Sequence, residues 1–104
     1  MHPRDRRKNL EQMLEKTPND PFLLYARAMT FLAEGSDEEG VSNLMDLLKS
    51  HPDYHAAHLQ IGQVLAARGD IDDARQWFSK GSAIAARLGD AKAAAEMDGF
   101  RDSL

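Results

Sequence analysis

The residues in this 104-residue chain that come nearest to a chemical site are three histidines, His51, His55 and His58. His55 and His58 stand three apart, a spacing that puts two imidazoles on one face of a helix, and imidazoles so placed can hold zinc. The set is incomplete. His51 precedes Pro52 and falls in a loop, Asp53 is the one close carboxylate, and the chain has no cysteine. No metal site is therefore expected, and without cysteine there is neither a thiolate nucleophile nor a disulfide framework. The serines at 36, 42, 50, 79, 82 and 103 fall in caps or on helix surfaces, not on the strand–turn–helix elbow that a catalytic serine requires. The acid pairs Glu38-Glu39 and Asp72-Asp73 fall in first helical turns, where carboxylates meet the helix dipole favourably. The glycines mark turns and helix contacts, not a phosphate-binding loop after a strand. Neither an enzyme nor a cofactor is expected.

Composition narrows the partners. The net charge is −4, and residues 1–8, MHPRDRRK, hold four basic residues and one acidic, so the remaining 96 residues carry −7. An acidic body argues against nucleic acid, which needs a basic face. No apolar run approaches the ~20 residues that span a bilayer, and the basic N-terminus has no apolar segment after it, so it does not read as a secretory leader. Membrane association is not expected, and the cytoplasm is the default compartment. The basic head reads as a solvated end.

These residues are positioned by a repeat. Shifting the chain by 34 residues lays Pro18 on Pro52, Gly35 on Gly69, Ala28 on Gly62 and Phe31 on Leu65. Leu10, Leu44 and Phe78 form one column, and Met13, Leu47 and Gly81 another. Turn residues fall on turn residues and apolar residues on apolar residues, the signature of stacked supersecondary units. Two full units follow, 21–54 and 55–88, within a single domain spanning 1–104.

Each unit reads as helix–turn–helix. Residues 5–16 form a helix with Leu10, Met13 and Leu14 on a narrow stripe, and Thr17-Pro18-Asn19 ends it. The segment 5–17 is thus the second helix of an incomplete repeat and caps the N-terminal side. Asp20-Pro21 opens the next helix with an acceptor at the cap and Pro at the first position. That helix, 21–34, is apolar nearly all round, and Gly35 stops it. Ser36 and Glu39 have capping-box spacing before a helix over 37–50. Helices follow over 54–68, stopped by Gly69, and 71–87, capped by Asp70 with Ile71, Ala74, Phe78, Gly81, Ala85 and Leu88 inward. Gly89-Asp90 introduces a last helix, 91–102, the C-terminal cap within 90–102. The fold class is all-α.

The second unit resembles the tetratricopeptide repeat family, whose pattern W-x2-L-G-x2-Y, A-x3-F, P runs over 34 residues. His58 stands for the Trp, Ile61-Gly62 for Leu-Gly and Leu65 for the Tyr, and Ala74 and Phe78 match A-x3-F. The first unit offers Leu24, Arg27-Ala28, Phe31, Gly40, Leu44 and the closing Pro52. Arg27, Gly40 and the lack of a Pro after Ile84 depart from the pattern.

The resemblance implies a scaffold that binds a protein or peptide in a concave groove lined by the first helix of each repeat. By register that groove takes Phe22, Tyr25, Met29 and Leu32 from the first unit. It takes Ala56, Leu59, Gln63 and Ala66 from the second, and Ala93, Met97, Phe100 and Arg101 from the last helix. The face is apolar, with Tyr25, Gln63 and Arg101 as polar handles. It lacks the Lys and Asn with which some members clamp a terminal carboxylate. A short array leaves a second outcome open, in which the last helix closes over these residues and they are core. A further alternative is weak self-association through Trp77, Ile84 and the C-terminal helix, since Trp77 points about 100° away from the core residue Phe78 and Trp is enriched at interface hot spots.

Overall fold

The computed structural model describes all 104 residues and contains six helices joined by short turns: α1 (Pro3–Lys16), α2 (Pro21–Ala33), α3 (Asp37–Ser50), α4 (His55–Ala67), α5 (Ile71–Arg87) and α6 (Ala91–Asp102). They divide into two compact units, Met1–Pro52 and Asp53–Leu104. In the first unit α1 packs on α2 and α2 on α3, and in the second α4 packs on α5 and α5 on α6.

Local chemistry explains the ends. α1 begins two residues earlier than its apolar stripe suggests, because the His2 ring accepts a hydrogen bond from the Arg4 N–H and Pro3 takes the first position. Arg4 to Lys8 are consequently helical. The Asp20 carboxylate accepts from the Leu23 N–H at 3.1 Å, and the Asp90 carboxylate accepts from the Ala93 N–H at 3.1 Å. The expected capping box is absent: Ser36 makes no side-chain cap bond, and its hydroxyl lies 3.5 Å from the Glu34 carboxylate instead. Asp70 likewise stands at the cap without a side-chain bond.

Three helices end alike. Gly35, Gly69 and Gly89 have φ of 84°, 85° and 83°, a left-handed conformation that costs other residues a Cβ clash. Each lets the following N–H turn back to a carbonyl five residues earlier, Ser36 to Phe31, Asp70 to Leu65 and Asp90 to Ala85, at 2.8–2.9 Å. α1 and α3 instead stop before Pro18 and Pro52. α5 has no Pro in that register, so it runs to 17 residues where α3 has 14 and closes on Gly89.

The first unit is built on Leu10, Leu14, Leu23 and Ala26, with Leu24 packed against them, and Ala28, Leu44 and Leu47 are also buried. The Arg7 guanidinium lies 3.9 Å from the Phe31 ring centroid and 2.9 Å from Glu34, tying α1 to α2. In the second unit Phe78 is central: its ring rests on Gly62, and Phe100 stacks on it with centroids 5.7 Å apart. The column Leu10, Leu44, Phe78 is buried throughout. The column Met13, Leu47, Gly81 is not, because Met13 is 53% exposed. Leu88, expected inward, is exposed at the end of α5.

Candidate functional site

A helix turns 100° per residue, so Phe22, Tyr25, Met29 and Leu32 fall within one arc of about 80° on α2. None of the four belongs to the buried core. Phe22, in the first turn behind Pro21, is 67% exposed. Tyr25, Met29 and Leu32 are half-buried, and Leu32 also packs against α3, where a Cβ on Gly40 would meet its Cδ2 at 2.4 Å. The same arc on α4 holds Ala56, Leu59, Gln63 and Ala66, all half-buried. The core of each helix lies elsewhere on its circumference, at Leu23, Ala26 and Ala28 in α2 and at Ala57, Ile61 and Leu65 in α4.

The third helix of this series behaves differently. Met97 holds the register of Met29 and Gln63, yet it is 1% exposed. Its sulfur sits where a Cβ on Gly81 would be, 2.5 Å from that point. Glycine at 81 lets α6 close on α5, so Met97 is core and offers nothing to a partner. Arg101 is also occupied. Its guanidinium reaches Asp98 at 3.2 Å, Asp102 at 3.0 Å and Ser79 at 3.4 Å, and the hydrogen bond to Asp102 raises its pKa above the ordinary value. It is not a free polar handle. Phe100 is partly exposed but committed to Phe78.

The alternative interface loses one of its two residues. Ile84 is buried. Trp77 is half-buried, with its ring tilted against His58 at a centroid distance of 5.5 Å. Trp77 therefore packs against α4.

The histidines do not form a common site. The His51 ring approaches the Asn19 carbonyl at 2.9 Å, and His55 lies 3.5 Å from Asp90. His58 is 1% exposed. It packs between Trp77 and Gly81, and its Nδ1 finds no hydrogen-bond partner. Burial lowers its pKa from the ordinary 6.5, Lys80 and His55 push the same way, and the Tyr54 backbone and Asp53 oppose them. No group of three or more His, Cys, Asp or Glu side chains is gathered closely enough to hold a metal ion. No helix is long and apolar enough to cross a membrane.

One surface escapes a reading by register. Met13 and Phe22 line a shallow depression where α1 meets the start of α2, with Asn9, Gln12, Lys16 and Leu23 around them. A column that is apolar in three successive repeats reads as core. Met13 departs from that reading in this structure, where it is 53% exposed.

Comparison with known proteins agrees with the 34-residue period. The tetratricopeptide repeat family model matches residues 3–75. The chain is 33% identical over 91 residues to the TPR repeat-containing protein PA0015 of Pseudomonas aeruginosa, covering 88% of this chain and 87% of that one. It is also 33% identical over 63 residues to the DnaJ homolog subfamily C member 3 of Homo sapiens and of Bos taurus. That match covers 61% of this chain and 12% of either DnaJ homolog.

Proposed function

The chain belongs to the tetratricopeptide repeat family, whose members are generally non-enzymatic protein–protein interaction modules, and we propose that it binds a segment of a protein partner through the first helix of each repeat. The observation that supports this is the α2 stripe. Phe22, Tyr25, Met29 and Leu32 share one face, and a two-thirds-exposed Phe stands at its head. Leu59 and Gln63 hold the same register on α4 of the second unit and offer it a face of its own. Aromatic and Met side chains offer a large contact area and adaptable packing, which suits an apolar peptide or a partner helix. The match to the DnaJ homologs agrees with a modular role, since a stretch of this kind occupies a small share of those larger chains.

Charge sets the partner's chemistry. The body beyond residue 8 carries −7, so the segment is apolar at its centre and basic at its ends, the arrangement that complementarity favours. The cytoplasm is the compartment in which such a scaffold would work. The test is Tyr25→Ala, with binding and unfolding measured on the same protein. Binding of a labelled peptide with an apolar centre and Lys ends should weaken by ~1–3 kcal/mol, as at a hot spot, with unfolding nearly unchanged. A loss of several kcal/mol in stability would instead make Tyr25 a packing residue and remove the α2 stripe as the site.

A further inference from the structure

The 34-residue period gives each end helix a phase. α1 holds the phase of α3 and α5, the second helices of their repeats, and α6 holds the phase of α2 and α4, the first helices. Each complete repeat carries two columns of small residues. Ala28 and Gly62 occupy one column on the first helices, and Gly40 and Ala74 the other on the second helices. In the first repeat the two columns approach one another, a Cβ on Gly40 lying 3.4 Å from the Ala28 carbonyl oxygen behind the Leu32 side chain, whereas in the second repeat Gly62 receives the Phe78 ring.

The end helices carry charge in those same columns. Glu96 of α6 falls in the register of Ala28 and Gly62, and Arg6 of α1 falls in the register of Gly40 and Ala74. The two side chains are exposed, and neither makes an ion pair within its own chain. The faces around them are open as well. Arg6, Asn9 and Met13 are exposed on α1, and Lys92, Ala95 and Gly99 on α6, with nothing within 4 Å of a Cβ placed on Gly99. α1 contains five basic and three acidic residues, net +2, whereas α6 with its cap Asp90 contains two basic and four acidic, net −2.

We propose that α6 of one copy of this chain pairs with α1 of a second copy, completing a repeat head to tail, with Glu96 and Arg6 forming an ion pair where the internal repeats place two small residues. The ionic pair holds these helices farther apart than the small columns do, and Met13, Ala95 and Gly99 lie beside it at the contact. Different surfaces meet, so association runs on into chains or closes into a ring, depending on the rotation between copies. An interface of exposed charges is weak and screened by salt. It uses other helices than the partner-binding stripes, so either reading can fail without the other.

The test is the weight-average mass by sedimentation equilibrium from ~10 μM to ~1 mM, at low and at high salt. The wild-type mass should rise with concentration at low salt and fall back towards the monomer at high salt. Arg6→Glu and Glu96→Arg, both at exposed positions, should each raise the apparent Kd by ~10-fold or more, as like charges meet across the contact. The double variant Arg6→Glu/Glu96→Arg should return it to within ~3-fold of wild type. A wild-type mass that stays monomeric throughout at low salt, or a double variant that associates no better than the single ones, would overturn the proposal.

Discussion

The Phe78 ring lies on the bare backbone of Gly62: a Cβ at position 62 would stand 2.6 Å from Phe78 Cε1. Phe78 is 1% exposed and stacked on Phe100, so the ring has nowhere to retreat. Gly62→Ala should therefore cost ~1–3 kcal/mol through overpacking. Gly99→Ala, in open space within α6, should instead stabilise by up to ~1 kcal/mol, the helix-propensity difference. Urea denaturation of the two variants checks both signs.

Leu44 is fully buried in the column it shares with Leu10 and Phe78. Leu44→Ala should lower stability by ~2–5 kcal/mol. Asn43→Ala, which removes only an exposed side-chain bond to the Glu39 carbonyl, should cost under ~0.5 kcal/mol. Equal losses by chemical denaturation would contradict the assigned repeat register.

Arg27 takes the position that Ile61 fills in the second repeat, and its Nε is buried without a hydrogen-bond partner. Leaving a buried donor unpaired costs ~1–3 kcal/mol. Arg27→Ile should accordingly raise the unfolding free energy by about 1 kcal/mol, with part of the gain offset by the partly exposed head group. Thermal and urea unfolding report the change.

His58 links stability to pH. Its folded pKa lies below the ordinary 6.5 because burial penalises the charged ring. As pH falls below 6.5 the unfolded chain takes up a proton that the folded chain resists, so stability declines with falling pH until the folded pKa is passed. His58→Phe, which keeps an aromatic ring beside Trp77, should give a shallower decline between pH 7.5 and pH 5. An unchanged slope in urea denaturation across that range would contradict the role assigned to the ring.

The helices were legible because their ends are written in local chemistry. Pro21, Gly35, Gly69 and Gly89 each act within a few residues, and the spans of α3, α5 and α6 match the expected ones at both ends. Side-chain commitments were less legible, because they depend on what a neighbouring helix leaves open. Met97 reads as a groove residue by register, but the missing side chain at Gly81 draws it into the core. Arg101 reads as a free handle, but Asp98, Asp102 and Ser79 converge on it. Met13 reads as core in a column that is buried at Leu47 and Gly81, yet it is exposed beside Phe22. Ser36 has capping-box spacing, yet Glu34 lies within reach of its hydroxyl.

The most direct measurement is an NMR titration of the labelled protein with a peptide that is apolar at its centre and carries Lys at its ends. Backbone amide shifts should move in a saturable way at Phe22, Tyr25, Met29, Leu59 and Gln63, while the buried positions Ile61 and Phe78 stay still. A matched peptide with Asp ends should shift the same amides less at equal concentration. Shifts confined to Met13 and the rest of α1, or to the neighbourhood of Trp77, would contradict binding through the first helices of the repeats, as would the absence of saturable shifts at millimolar peptide.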